Sequence, residues 1–217
     1  IVSDILEKNV STNLDNIKIY VIRHGQTLWN AQGRLQGAAD IPLNDNGTRL
    51  ARITGQALKE VPFFCCFTSP LKRARDTASL ILEGRDVPIF QEERIREISF
   101  GEWEGQDMAS LPQDMLDNFF HHPQNFKAPA GGESFTHLQN RTKMFFHELA
   151  SREDFQDKTI LVSTHGCAMR AFLQNVYKDP SLENFWHGKV PPNCGVNIIE
   201  INQGKALLLK EDVVFYQ

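Results

Sequence analysis

Three apolar runs rich in β-branched and aromatic residues, at 17–22, 63–68 and 159–164, stand out from a mixed polar background. Each stops at a polar turn, which predicts three buried strands. Between them, apolar positions recur at helical spacing. Leu50, Ile53, Ala57 and Leu58 share one face of a helix predicted over 46–60, with Asn44 or Asp45 as its cap. Leu71, Ala74, Ala78 and Leu82 line a second helix, expected to start at Ser69-Pro70 with Ser69 as cap and Pro70 in the first turn. Ser134 is placed to cap a helix carrying Phe135, Leu138, Phe145 and Leu149, and 166–177 reads as another helix. A short strand is expected at 87–90. Two closing strands flank Asn202-Gln203-Gly204. The stretches 23–45 and 91–106 have no period and read as long loops, and loops of that length inside a compact domain are usually functional. Residues 107–152 read as helical, broken at Pro112 and again from His122-Pro123 to Gly131-Gly132. Residues 1–16 suit a short helix or a loose arm. The alternation of strands and helices predicts an α/β fold, three layers α/β/α around a mostly parallel central sheet with an inserted helical cap. The expected organisation is one domain over 1–217, with the cap at about 99–150.

Composition narrows the class. With 217 residues, 41% hydrophobic and 23% charged, the chain suits one large globular domain. A net charge of -4 argues against a general nucleic-acid binder. No apolar run is long enough to span a membrane. The first sixteen residues are too polar for a signal peptide, which with the thiols points to a cytoplasmic protein. Cys65, Cys66, Cys167 and Cys194 show no zinc or disulfide spacing and read as buried reduced thiols, with Cys65 and Cys66 on opposite strand faces.

The chemistry collects where the strands end. The first runs into Arg23-His24-Gly25-Gln26-Thr27, with Asn30 behind. Arg73 and Arg75 follow the second strand, within the next helical turns, and the third ends at His165-Gly166. Ligands of open α/β sheets bind beyond the carboxyl ends of the strands. The pattern therefore sends two histidines and at least two arginines to one edge. Arginine supplies fixed charge and planar donors, a neutral imidazole can attack phosphorus, and glycine lets the backbone approach closely. His24 must be neutral to attack, whereas His165 would be more useful charged.

These motifs, in this order, resemble the histidine phosphatase superfamily of phosphoglycerate-mutase-like proteins. The matching stretches are Arg23 to Thr27 with Asn30, Gly33 to Gly37 with Asp40 to Leu43, and Ser69 to Ala74 with Thr77-Ala78. They continue with Arg96 to Gly105, Gly131 to Ser134 and Ser163 to Gly166. The resemblance covers roughly 17–201. It implies that His24 is the nucleophile and becomes phosphohistidine, that Arg23, Arg73 and His165 bind the phosphoryl oxygens, and that Glu97 donates the leaving-group proton. It further implies that Asn30, Gln36 and the backbone at Gly37 and Gly166 lie near the phosphate, with no metal and no cofactor. Charge, by contrast, does not single out Glu97 from Glu92, Glu93, Glu102 and Glu104 nearby.

Three functions compete. A metal-independent phosphomonoesterase, acting on a small phosphorylated metabolite and passing phospho-His24 to water, is the leading expectation. A cofactor-dependent phosphoglycerate mutase would need further basic residues for a substrate carboxylate, yet 107–135 holds only Lys127. The Phe100 to Gly105 stretch also resembles the phosphatase branch. A phosphate-binding module without activity would have lost the nucleophile, the second histidine or the acid, and all three are here. The expected partner is a small phosphate ester (a sugar phosphate, α-ribazole phosphate or a phosphoglycerate), with no nucleic acid and no membrane. A homodimer is compatible with the sequence.

Overall fold

The computed structural model describes residues 16–217. The arm or helix expected at 1–16 lies almost wholly outside the described residues. Among the described residues, six strands form one sheet: β1 Asn16–Arg23, β2 Phe63–Thr68, β3 Ile89–Gln91, β4 Thr159–Thr164, β5 Val196–Asn202 and β6 Lys205–Val213. Their spatial order is β3-β2-β4-β1-β5-β6. The first four run parallel, and β5 and β6 close the sheet antiparallel. The sheet is thus mostly parallel, as the alternating pattern predicts.

Among the described residues, six helices pack around it: α1 Leu28–Gln32, α2 Asp45–Ala57, α3 Lys72–Ile81, α4 Gln113–His121, α5 Phe135–Ser151 and α6 Gly166–Leu173. Period-two alternation in the strands divides the core. Ile17, Ile19, Val21, Cys65, Ile160 and Val162 pack with Phe145 and Leu149 of α5 and with Met169 and Phe172 of α6. Ile22, Cys66 and Leu161 face the other way, against Leu50 of α2 and Ala78 and Ile81 of α3. Cys65 and Cys66 do point to opposite faces. Burial in these layers pushes the Cys65 thiol up to about 11 and the Cys66 thiol higher still, which suits inert packing groups.

Two elements differ from the sequence pattern. Helix α3 begins at Lys72, with Leu71 as a cap that has no side-chain bond, rather than at Ser69-Pro70. The Ser69 hydroxyl accepts the Leu71 N–H at 3.3 Å and also meets His165. Within 99–150, α5 belongs to the layer on the sheet, while 99–134 forms α4 and short 3-10 turns over a separate core. Phe119 of α4 centres that core, its ring 5.2 Å from Phe100, 5.0 Å from Phe126, 5.2 Å from Phe135 and 5.5 Å from Trp186. The long loop 23–45 also contains α1, closed by a capping box between Thr27 and Asn30.

Candidate active site

Three adjacent strands, β2, β4 and β1, end within one residue of each other at one edge of the sheet. Arg23 pairs with Thr164 and Thr68 with Ser163. The next residues along these strands, His24, His165 and Ser69, therefore emerge side by side, all three buried. The His24 and His165 rings lie 5.2 Å apart, centroid to centroid.

His24 is held in one orientation. Its Nδ1 lies 2.6 Å from the Gly25 carbonyl, so Nδ1 is assigned the proton and Nε2 keeps a free lone pair. Burial pushes its pKa well below the ordinary 6.5, and the charges of Arg73 and Arg23 push the same way. Gly25 allows this backbone course. A Cβ there would sit 2.6 Å from the Gly47 carbonyl oxygen at the start of α2. The Gly25 N–H donates to Thr77 Oγ1 (3.0 Å), and Thr77 in turn donates to the carbonyl of Arg73 (2.7 Å).

The flanking cations are fixed by carbonyls rather than by carboxylates. Arg73, fully buried in the first turn of α3, donates Nη1 to the Ala39 carbonyl and Nη2 to the Gly37 carbonyl (2.6 Å). Burial lowers its pKa to about 10, so it stays charged at neutral pH. Arg23 donates Nη1 to the Pro191 carbonyl. His165 Nε2 lies 2.7 Å from Ser69 Oγ. Four buried nitrogens are left without a partner among the described residues, Arg23 Nε, Arg73 Nε, Arg75 Nε and His165 Nδ1, and three of them belong to the residues gathered here. Buried donors rarely stay unpaired, so a cluster of them around a free imidazole lone pair points to an anion. Burial, Arg73, His24 and Arg23 also push the His165 pKa well below 6.5. The expectation of a charged His165 is therefore not met in the protein alone, and positive charge comes from the arginines.

Glu97 is buried, and it accepts from the backbone at the start of α6. Its Oε2 takes the Cys167 N–H and its Oε1 the Ala168 and Ile98 N–H groups, each at 3.0 Å. Burial nevertheless outweighs these bonds and Arg73, and its pKa is raised above the ordinary 4.5. A Cβ added at Gly166 would lie 3.5 Å from Arg23 Nε and 3.8 Å from Glu97 Oε2. Gly166, Arg23 and Glu97 thus meet at one point. Glu97 also lines a cleft of about 720 Å³, walled by Arg96, Glu93, Ser99, Ser134 and His137 among others. His24 is not among the residues that line this cleft.

The remaining expected residues sit close to the site but have structural partners. Asn30 Oδ1 accepts from Thr27 N–H (3.1 Å) and from Asn193 Nδ2 (3.4 Å). Gln36 Oε1 accepts from the Thr27 hydroxyl (2.6 Å). The Gly37 N–H donates to Glu104 Oε2 (3.1 Å), so its carbonyl, on Arg73, is the group facing inward. Sequence reasoning passed over Ser69 as a cap and over Glu104, which takes the N–H groups of Gly37, Ala38 and Phe100. Membership of the Phe100 to Gly105 motif was the available signal for Glu104. Pro191 carried no signal, because it acts through its carbonyl.

Comparison with known proteins agrees with this architecture. The sequence matches the histidine phosphatase superfamily (branch 1) over residues 19–212. A solved structure, Bacillus stearothermophilus YhfR, superposes with a TM-score of 0.83 at 32% identity, covering 91% of this chain and 97% of that one. The 2,3-bisphosphoglycerate-dependent phosphoglycerate mutase 2 of Gloeobacter violaceus is 34% identical, across 73% of this chain and 74% of its own. Phosphoserine phosphatase 1 of Hydrogenobacter thermophilus is 29% identical across 91% of this chain and 92% of its own. The chain belongs to the histidine phosphatase superfamily, in its phosphatase branch. Among the described residues no helix is long and apolar enough to cross a membrane.

Proposed function

We propose that the protein hydrolyses small phosphomonoesters without a metal, through a phosphohistidine on His24. The observation that carries this reading is the set of unpartnered buried donors, Arg23 Nε, Arg73 Nε and His165 Nδ1, around a neutral His24 whose Nε2 is free. During phosphoryl transfer, charge spreads over the equatorial oxygens, and catalysis is mostly positioning and electrostatic stabilisation. Two guanidiniums and an imidazole N–H meet that demand.

In the first step His24 Nε2 attacks phosphorus and the bond to the leaving oxygen breaks. Glu97, whose pKa burial raises above the ordinary 4.5, gives that oxygen its proton. Water then attacks the phosphohistidine, Glu97 takes the water's proton, and the N–P bond breaks to release inorganic phosphate. That Glu97 lines the cleft and approaches Arg23 beside Gly166 supports this double role.

The same cleft bears on the mutase alternative. Of its two arginines, Arg141 is consumed by Glu133 and by the carbonyls of Arg94, Arg96 and Glu97. Only Arg96 is left to hold a substrate carboxylate, and it is already paired with Glu93 at 3.2 Å. This favours water as the acceptor. No Phe, Tyr or Trp lines the cleft, which favours a compact polar leaving group over a flat base.

The test is phosphate release from an aryl phosphate in excess EDTA, with His24→Ala alongside. The reading requires release by the wild type and none by the variant. Release by His24→Ala, or release abolished by EDTA, would refute it.

A further inference from the structure

The site's Arg23 rests on a segment, residues 189–193, that is neither helix nor strand. Pro191 and Pro192 within it have no N–H and a fixed φ, so this part of the backbone is stiff and can only accept hydrogen bonds. Alternate carbonyls along it are each taken by a side chain. The Lys189 carbonyl accepts from Arg170 Nη2 (2.8 Å) and Nε (3.2 Å). The Pro191 carbonyl accepts from Arg23 Nη1, and the Asn193 carbonyl from the Tyr216 hydroxyl (2.7 Å). Asn193 also donates Nδ2 to the His24 carbonyl (3.2 Å). The strap thus touches both residues of the Arg23-His24 pair.

Its outer holds come from α6 and from beyond β5. Arg170 is buried and pairs with Asp212 through Nη2 (2.7 Å), while its Nη1 reaches the Tyr177 hydroxyl (3.0 Å). Asp212 is fixed in turn by Asn197, which donates Nδ2 to Oδ1 (3.1 Å) and accepts the Asp212 N–H (3.2 Å). Replacing a buried ion pair by apolar residues is often neutral for stability, so this pair need not be there for stability alone. A fully satisfied polar network does hold a single geometry.

We propose that Asp212 and Tyr216 are positioning residues for catalysis, aligning the Arg23 guanidinium through Arg170 and the strap 189–193. This rests on the reading of Arg23 as a phosphate ligand. With Nη1 spent on Pro191, the plane of the guanidinium and the aim of its Nε follow the strap. Small displacements of a charged donor from the transferring group are costly in rate.

The test is a double-mutant cycle with a spectroscopic arm. Tyr216→Phe removes one hydroxyl from a half-buried position, and Asp212→Asn is the companion variant. Tyr216→Phe should lower kcat/KM for an aryl phosphate about fivefold to tenfold, and should change nothing further when Arg23 is already alanine. The Nε–Hε NMR signal of Arg23, assigned by its loss in Arg23→Ala, should shift in both variants. An equal loss in the two backgrounds, no loss in either, or an unmoved Arg23 signal would overturn the proposal. If Arg23→Ala kept full activity, the phosphate-site reading would fail instead, and the NMR signal alone would decide whether the strap sets Arg23.

Discussion

Ser69 Oγ and His165 Nε2 lie 2.7 Å apart at the ends of neighbouring parallel strands. Ser69 Oγ also accepts the Leu71 N–H at 3.3 Å, so its own proton is assigned to the imidazole. The proton of neutral His165 then sits on Nδ1, the atom left unpartnered beside His24. A serine in a position that suits a helix cap thus decides which face of the second histidine donates.

Ser69→Ala should lower kcat/KM for an aryl phosphate by roughly fivefold, since losing one hydrogen bond costs about 1 kcal/mol and about 1.4 kcal/mol is a factor of ten. Thermal stability should move little. Steady-state kinetics with a melting curve checks this. Unchanged kinetics would mean that His165 is oriented by its packing alone.

Glu97→Gln should slow alkyl phosphates far more than activated aryl phosphates, because a good leaving group needs less protonation. The wild type should lose activity as pH rises through the raised Glu97 pKa, and that limb should vanish in the glutamine variant. On the acid side, His24 stays neutral until well below pH 6.5. The pH profile should therefore be displaced to the acid side. Equal losses on both substrate classes would remove Glu97 as the acid.

Glu104→Ala would strip the acceptor from the N–H groups of Gly37, Ala38 and Phe100 at once. Leaving such groups unsatisfied costs about 1–3 kcal/mol each where they are buried, so a stability loss of about 3 kcal/mol is expected by urea unfolding. Activity should fall as well, because the Gly37 carbonyl holds Arg73. Gly37→Ala should be at least as damaging. Its Cβ would lie 2.2 Å from the Ile98 carbonyl oxygen, a contact with backbone that no side-chain rotation relieves.

The two histidines also predict how stability changes with pH. Their folded pKa values lie well below 6.5, so the unfolded chain binds protons that the folded chain refuses. Stability should fall as pH drops below about 6.5 towards those folded values. His165→Gln should flatten this fall by up to one proton per molecule. Urea midpoints at several pH values measure the slope, and a slope identical to wild type would contradict a neutral buried His165.

Much of this was legible in the chain. Strands β2 and β4 were readable to the residue, because a short apolar run bounded by polar turns has few alternatives. Helix α2 was set by its apolar period and by Asn44, whose Oδ1 accepts the Gly47 N–H at 2.8 Å. His24, Arg73 and His165 stood out because chemistry at a strand end has no packing reason to be there. The 99–134 region was not readable in the same way. Its order comes from aromatic contacts between Phe119 and residues as distant as Trp186, and such contacts leave no local period. The holds on Arg23 and Arg73 were invisible for a related reason. They are carbonyls of Pro191, Gly37 and Ala39, and any residue has a carbonyl.

The central claim is a covalent phosphoryl group on one imidazole. Its most direct test is to mix the protein with a phosphate ester, quench in alkali within a turnover, and map the adduct by mass spectrometry. The account predicts one phosphoryl group on His24, none in His24→Ala, and accumulation in Glu97→Gln with an aryl phosphate, where hydrolysis lacks its base. Turnover with no adduct in any of these, or an adduct on another residue, would contradict it.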